Sequence, residues 1–123
     1  MMPTVLVIDD DADIRAIVRM CLVQLGAYDV IEADGGAVGV RRCLERQPDL
    51  VLLDYMMPDL DGLQCFDEMR AAFGARGATP PPVVLMTARC DLDGADPSAF
   101  AGVLGKPFDL ATLLSEVKRV VTA

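Results

Sequence analysis

Short runs of β-branched and leucine side chains recur along this chain, each followed by a longer stretch of helical period, and no other feature narrows the possible folds as much. The runs predict strands at residues 5–8, 28–31 (weaker), 50–53, 83–86 and 103–104. Three are almost continuously apolar, as strands must be when helices cover both faces of a parallel sheet. Ile14, Ile17, Val18, Cys21, Leu22 and Leu25 share the spacing of one helical stripe, stopped by Gly26. Leu110, Leu113, Leu114, Val117, Val120 and Val121 form another stripe behind Asp109, a side chain suited to N-capping. Ala37, Val40 and Leu44, ended by Pro48, and Leu63, Phe66 and Phe73, opened by Gly62, predict two further helices. The glycine- and proline-rich residues 74–82 form a connector, and residues 89–102, full of turn signals, leave room for one short helix. The expected fold class is therefore α/β, a (βα)5 doubly wound five-stranded parallel sheet with a shortened fourth helix.

At 123 residues the chain is expected to be one domain spanning residues 1–123. The 53% hydrophobic and 24% charged composition gives it the means to fold alone. A net charge of -8 argues against direct nucleic-acid binding, which requires clustered Lys and Arg. No apolar run approaches the ~18 residues of a membrane span, and Met1-Met2-Pro3-Thr4 lacks the character of a signal peptide, so a cytoplasmic location without membrane contact is expected. Cys21, Cys43, Cys65 and Cys90 are widely spaced and the chain has no histidine. They are read as structural thiols rather than as a zinc site or disulfides.

In open parallel sheets ligands bind beyond the carboxyl ends of the strands, where strand order reverses. Applied here, the rule gathers Asp9, Asp10 and Asp11 after the first strand, Asp54 after the third, Thr87 after the fourth and Lys106-Pro107 after the fifth. Two carboxylates about 5 Å apart repel by roughly 3 kcal/mol at an effective dielectric of ~20, so several held together shift their pKa values or demand a cation. An all-oxygen set suits Mg²⁺, which is usually shared with a phosphoryl group. Asp54 is then placed to act as a nucleophile toward phosphorus, with Lys106 neutralising and Thr87 hydrogen-bonding the phosphoryl oxygens. Taken singly, each residue has a plainer reading. The acidic triplet suits a helix start, Thr87 a strand, Lys106 a surface, Met56-Met57-Pro58 a turn, and Asp59-Leu60-Asp61-Gly62 a fragment of a calcium loop too short to encircle an ion.

The stretches Val5-Leu6-Val7-Ile8-Asp9-Asp10-Asp11, Leu52-Leu53-Asp54-Tyr55-Met56-Met57-Pro58-Asp59-Leu60-Asp61-Gly62, Met86-Thr87-Ala88 and Lys106-Pro107-Phe108 resemble the four signature segments of response-regulator receiver domains, in the family's order and across essentially the whole chain. The resemblance implies a flavodoxin-like strand order of 2-1-3-4-5. It also implies that Asp54 is the phosphoacceptor, Asp10 a direct Mg²⁺ ligand, Asp9 the acid holding metal-bound water, and Met56 a ligand through its backbone carbonyl. Thr87 becomes the switch hydroxyl and Lys106 the partner of Asp54, aimed by a cis peptide before Pro107. The implied donor is a histidine kinase or a histidine phosphotransfer protein acting in trans, and the implied output is contact with a downstream protein.

Val103 stands where such domains usually carry Tyr or Phe. Phosphorylation is accordingly expected to reorganise residues 88–102 while Val103 keeps its rotamer. Only one helix follows Phe108, which fits a single-domain response regulator and equally a fragment of a longer regulator or hybrid kinase. Two other classes compete: a phosphorylation-independent interaction module, and a haloacid-dehalogenase-type phosphatase. The latter family places an acid two residues after its nucleophile, where this chain has Met56.

Overall fold

A computed structural model describes residues 2–88 and 97–122. Its order is β1 (Thr4–Ile8), α1 (Ala12–Met20), β2 (Asp29–Ala33), α2 (Gly36–Arg46), β3 (Leu50–Asp54), α3 (Gly62–Ala75), β4 (Val83–Thr87), β5 (Gly102–Gly105) and α4 (Leu110–Val121). All strands pair in parallel in the order β2-β1-β3-β4-β5. The doubly wound class and the strand order are both as expected. Residues 89–96, which hold Cys90 and the first part of the stretch expected to carry one short helix, lie outside the described residues. Within the described part of that stretch stands a single 3-10 turn, Pro97–Ala99.

Alternation along β1 builds the two layers. Leu6 and Ile8 enter the core beneath α2 and α3, whereas Val5 and Val7 enter the core beneath α1 and α4. All four are fully buried, and a buried aliphatic side chain stabilises by ~1.5–3 kcal/mol. α2 lies close against β1 because Gly39 has no side chain: a Cβ there would sit 2.5 Å from Ile8 Cδ1. The α2 face turned inward is Gly36, Gly39 and Cys43, more than the Ala37-Val40-Leu44 stripe; Ala37 is exposed, and Val40 and Leu44 are half-buried.

The first helix departs from its expected stripe. Val18, Cys21 and Leu22 are buried, but Ile17 and Leu25 are exposed. After Met20 the helix widens into a π turn, Cys21–Leu25, and the longer repeat carries Leu25 off the buried face. Cys21, Cys43 and Cys65 are free and buried. Burial pushes the Cys43 thiol up to about 11 and the Cys65 thiol to about 12, as befits packing residues rather than reactive ones. No helix among the described residues is long and apolar enough to cross a membrane.

Candidate functional site

β1 leads toward the β2 edge and β3 toward the β5 edge, so the crevice where strand order reverses lies between the carboxyl ends of β1 and β3. Asp9 follows β1 directly and Asp54 is the last residue of β3. Asp9, Asp54 and Thr87 are the buried polar residues among those described, at 0%, 5% and 3% exposure. Asp10 remains exposed. One carboxylate oxygen from each of Asp9, Asp10 and Asp54 lies within 4.8 Å of the others.

Lys106 enters from the end of β5. Its backbone N–H donates to the Thr87 carbonyl (2.8 Å), and a cis peptide joins it to Pro107. Its Nζ donates to Asp9 Oδ2 at 2.7 Å and to Asp54 Oδ1 at 3.0 Å. Thr87 ends the strand next to Asp54, where β3 and β4 pair Asp54 with Met86. Of the six side chains expected to gather, Asp9, Asp10, Asp54, Thr87 and Lys106 stand on one edge of the sheet, whereas the Asp11 carboxylate caps α1, accepting from the Asp13 and Ile14 N–H groups. Met56 lies two residues beyond Asp54 with its side chain exposed. Val103 on β5 is 42% exposed, an aliphatic surface where an aromatic was the family expectation.

Burial raises the Asp54 carboxyl from its ordinary 3.8 to about 6; the Lys106 hydrogen bond opposes the rise and the neighbouring Asp9 charge adds to it. For Lys106, burial alone would lower the ammonium, but hydrogen bonds to Asp9 and Asp54 outweigh it and the net displacement is upward. One ammonium shared by two buried acids, with a third acid alongside, leaves an excess of negative charge at the crevice mouth. An all-oxygen set of that charge fits a hard dication such as Mg²⁺.

The loop after β3 is tied down from several directions. The Tyr55 N–H donates to the Met86 carbonyl (3.0 Å) and the Gly62 N–H to the Tyr55 carbonyl (2.6 Å). A Cβ at Gly62 would lie 2.8 Å from the Asp54 carbonyl oxygen, so only glycine lets α3 begin this close to the acid. Asp61 caps α3 in a reciprocal pair with Gln64. Asp59 caps a different helix: its carboxylate accepts from Gly36 N–H (3.1 Å) and Ala37 N–H (3.0 Å) at the start of α2, and these bonds hold its carboxyl below the usual range. The calcium-loop look of this segment therefore dissolves into two helix caps. Sequence reasoning missed the capping role of Asp59 because its partners lie 22 and 23 residues away. It also missed Arg15, whose guanidinium reaches the Asp9 carbonyl at 2.7 Å; an isolated basic residue on a helix carries no signal of such a contact.

The family model of the response regulator receiver domain matches residues 5–118. The chain belongs to the response-regulator receiver family. The receiver is 36% identical to the transcriptional regulatory protein PrrA of Mycobacterium tuberculosis over 122 residues, covering 97% of this chain and 50% of that protein. It is 33% identical to the DNA-binding dual master transcriptional regulator RpaA of Synechocystis over 98% of this chain and 49% of that one. The receiver thus spans about half the length of the curated relatives it matches. Among solved structures it superimposes on the chemotaxis response regulator CheY4 of Vibrio cholerae with a TM-score of 0.83 at 27% identity, over 98% of this chain and 99% of that one. It is a receiver domain of the kind found in two-component systems of bacteria.

Proposed function

We propose that this receiver accepts a phosphoryl group on Asp54 from the phosphohistidine of a kinase or histidine phosphotransfer protein, and signals by a phosphorylation-dependent change in its protein contacts. The observation that carries this reading is the ammonium of Lys106 held between buried Asp9 and Asp54, with Asp10 beside them. In the transfer an Asp54 carboxylate oxygen attacks phosphorus while the bond from phosphorus to the histidine nitrogen breaks. The imidazole leaves with the electron pair and is reprotonated. Lys106, already hydrogen-bonded to the attacking carboxylate, follows the charge onto the phosphoryl oxygens, and the Thr87 hydroxyl donates to another of them. Asp9, Asp10, Asp54 and the Met56 carbonyl would hold Mg²⁺. When bound, this ion supplies neutralisation of the phosphoryl oxygens. Water later hydrolyses the acyl phosphate to inorganic phosphate and free Asp54, so the chain catalyses only its own modification and is not an enzyme toward other substrates.

On this reading residues 1–123 form a single receiver unit, located in the cytoplasm and acting through proteins. The charge of -8 leaves it poorly suited to touch nucleic acid itself. The half-length coverage of PrrA and RpaA supports a second arrangement, in which the same unit controls a further domain of a longer regulator; the chemistry at Asp54 is the same in both. The test is incubation of the purified chain with acetyl phosphate, with and without Mg²⁺. Stoichiometric Mg²⁺-dependent labelling that vanishes in Asp54→Asn is expected. Labelling of the Asn variant to the same extent would remove Asp54 from the role of sole acceptor, and no labelling of the wild-type chain would favour a phosphorylation-independent module.

A further inference from the structure

The turn that carries Asp9 and Asp10 is held by several hydrogen bonds, most of them to Asp9. The Asp9 N–H donates to the Ala33 carbonyl at 3.1 Å. Asp9 Oδ1 accepts from the Asp11 N–H at 2.9 Å and Oδ2 from Lys106 Nζ. What these bonds leave without a partner is the carbonyl oxygen of the peptide joining Asp9 to Asp10. Arg15, one turn into α1, closes that gap: its Nη1 donates to the Asp9 carbonyl oxygen at 2.7 Å. Its Nε is held by Glu32 Oε1 on β2 at 3.2 Å. The other carboxylate oxygen of Glu32 takes Arg19 Nη1 at 3.0 Å, and that same Nη1 reaches the Val30 carbonyl at 3.3 Å.

We infer that Arg15 is a positioning residue for the cation site, fixing the Asp9–Asp10 peptide so that the Asp10 carboxylate faces Asp54, and that Glu32 on the edge strand holds the guanidinium in that pose. Because a peptide unit is planar, pinning its oxygen also places the Cα of Asp10, and the bond from the Asp11 N–H to Asp9 Oδ1 on the far side of that Cα limits the rotation that sets where the side chain points. Asp10 is the exposed member of the acidic trio, so its direction depends most on the backbone beneath it. Arg15 itself is largely withdrawn from water, with 17% of its side chain exposed, and its fork engages two acceptors on different elements, a geometry that an ammonium does not reproduce.

This inference rests on the cation-assisted phosphoacceptor reading, and it makes a prediction opposite in sign to simple electrostatics. A guanidinium bonded to the backbone of the turn that carries Asp9 and Asp10 repels an incoming dication, so by charge alone its removal tightens Mg²⁺ binding. Loss of positioning weakens it instead. The experiment is calorimetric titration of Mg²⁺ into the full chain at fixed ionic strength, for wild type and for Arg15→Gln, Arg15→Lys, Glu32→Gln and Asp10→Asn. Arg15→Gln is expected to raise the Mg²⁺ Kd about tenfold, the range found for groups that orient metal ligands from behind. Arg15→Lys, which keeps the charge but not the fork, gives an intermediate loss, and Glu32→Gln a smaller loss in the same direction. In acetyl phosphate labelling, Arg15→Gln raises the Mg²⁺ concentration needed for half-maximal rate while leaving the rate at saturation essentially unchanged. A merely structural tie between α1 and β2 would lower the melting temperature without that split. Should Arg15→Gln not fold, Arg15→Lys and Glu32→Gln decide. Mg²⁺ binding that requires Asp10 but is unchanged or tighter in the Arg15 variants overturns this inference alone. Mg²⁺ binding indifferent to Asp10→Asn overturns the reading of the site, and the inference with it.

Discussion

Replacing Asp54 by Asn in the metal-free chain removes a carboxylate that the fold holds against its preference. Burial places its folded value at about 6, against an ordinary 3.8. Between these limits the folded chain binds the proton more tightly than the unfolded chain, so stability falls as pH rises through this window, and the penalty is complete above about pH 6. At ~1.4 kcal/mol for each pH unit separating the two values, the charged form costs the fold on the order of 3 kcal/mol at neutral pH. The Lys106 bond is already included in that balance, since it is one of the influences setting the folded value. Asn at position 54 is nearly the same shape and carries no charge. The variant is therefore expected to be more stable than wild type by up to about 3 kcal/mol at pH 7.5, with the advantage shrinking toward zero near pH 4. Urea denaturation followed by circular dichroism, in chelator, at intervals from pH 4 to pH 8, measures it. Subtracting the two curves cancels carboxylates such as Asp59, whose lowered value acts in the opposite sense: its contribution is present above its ordinary value and lost on acidification. A difference that stays constant across the range, or a variant less stable than wild type at pH 7.5, would refute the reasoning.

Lys106→Met leaves Asp9 and Asp54 facing each other without their shared ammonium; a loss of about 2–3 kcal/mol in the metal-free chain is expected from denaturant melts, below the full cost of orphaning a buried pair because Lys106 keeps some exposure. Since the Lys106 value is raised, its contribution is whole below its ordinary 10.5 and disappears as pH climbs beyond it, which an alkaline melt of wild type against this variant would show. Gly62→Ala drives a methyl to 2.8 Å from the Asp54 carbonyl oxygen and should cost ~1–3 kcal/mol; equal midpoints of denaturation would show that α3 can withdraw freely. Asp59→Ala removes the cap of α2 and should cost about 1 kcal/mol, with faster hydrogen exchange confined to the first turn of that helix.

Legibility in the sequence followed the size of the side-chain signal. Val5, Leu6, Val7 and Ile8 announce a strand covered on both faces because the aliphatic run is short, rich in β-branched residues and bounded by Pro3 and Asp9, and all four are buried. The site was readable for a related reason: once the strands are placed, topology alone brings Asp9, Asp54, Thr87 and Lys106 to one edge. Contacts made by small or distant groups were silent. The inward face of α2 is Gly36, Gly39 and Cys43, which hydrophobic periodicity underweights, and the exposure of Leu25 follows from a π turn that no residue type announces. Asp59 and Arg15 escaped because their partners are backbone groups, 23 residues away for Asp59 and six for Arg15, and backbone groups leave no mark in a sequence.

The most direct test of the account is transfer from a kinase. Histidine kinases are autophosphorylated with radiolabelled ATP, freed of nucleotide and mixed with the purified chain in Mg²⁺, and the label is followed on both proteins over time. The account predicts that for a cognate kinase the label leaves the kinase and appears on the wild-type chain, and that neither happens with Asp54→Asn. Label appearing equally on the Asn variant, or transfer undiminished in chelator, would contradict it.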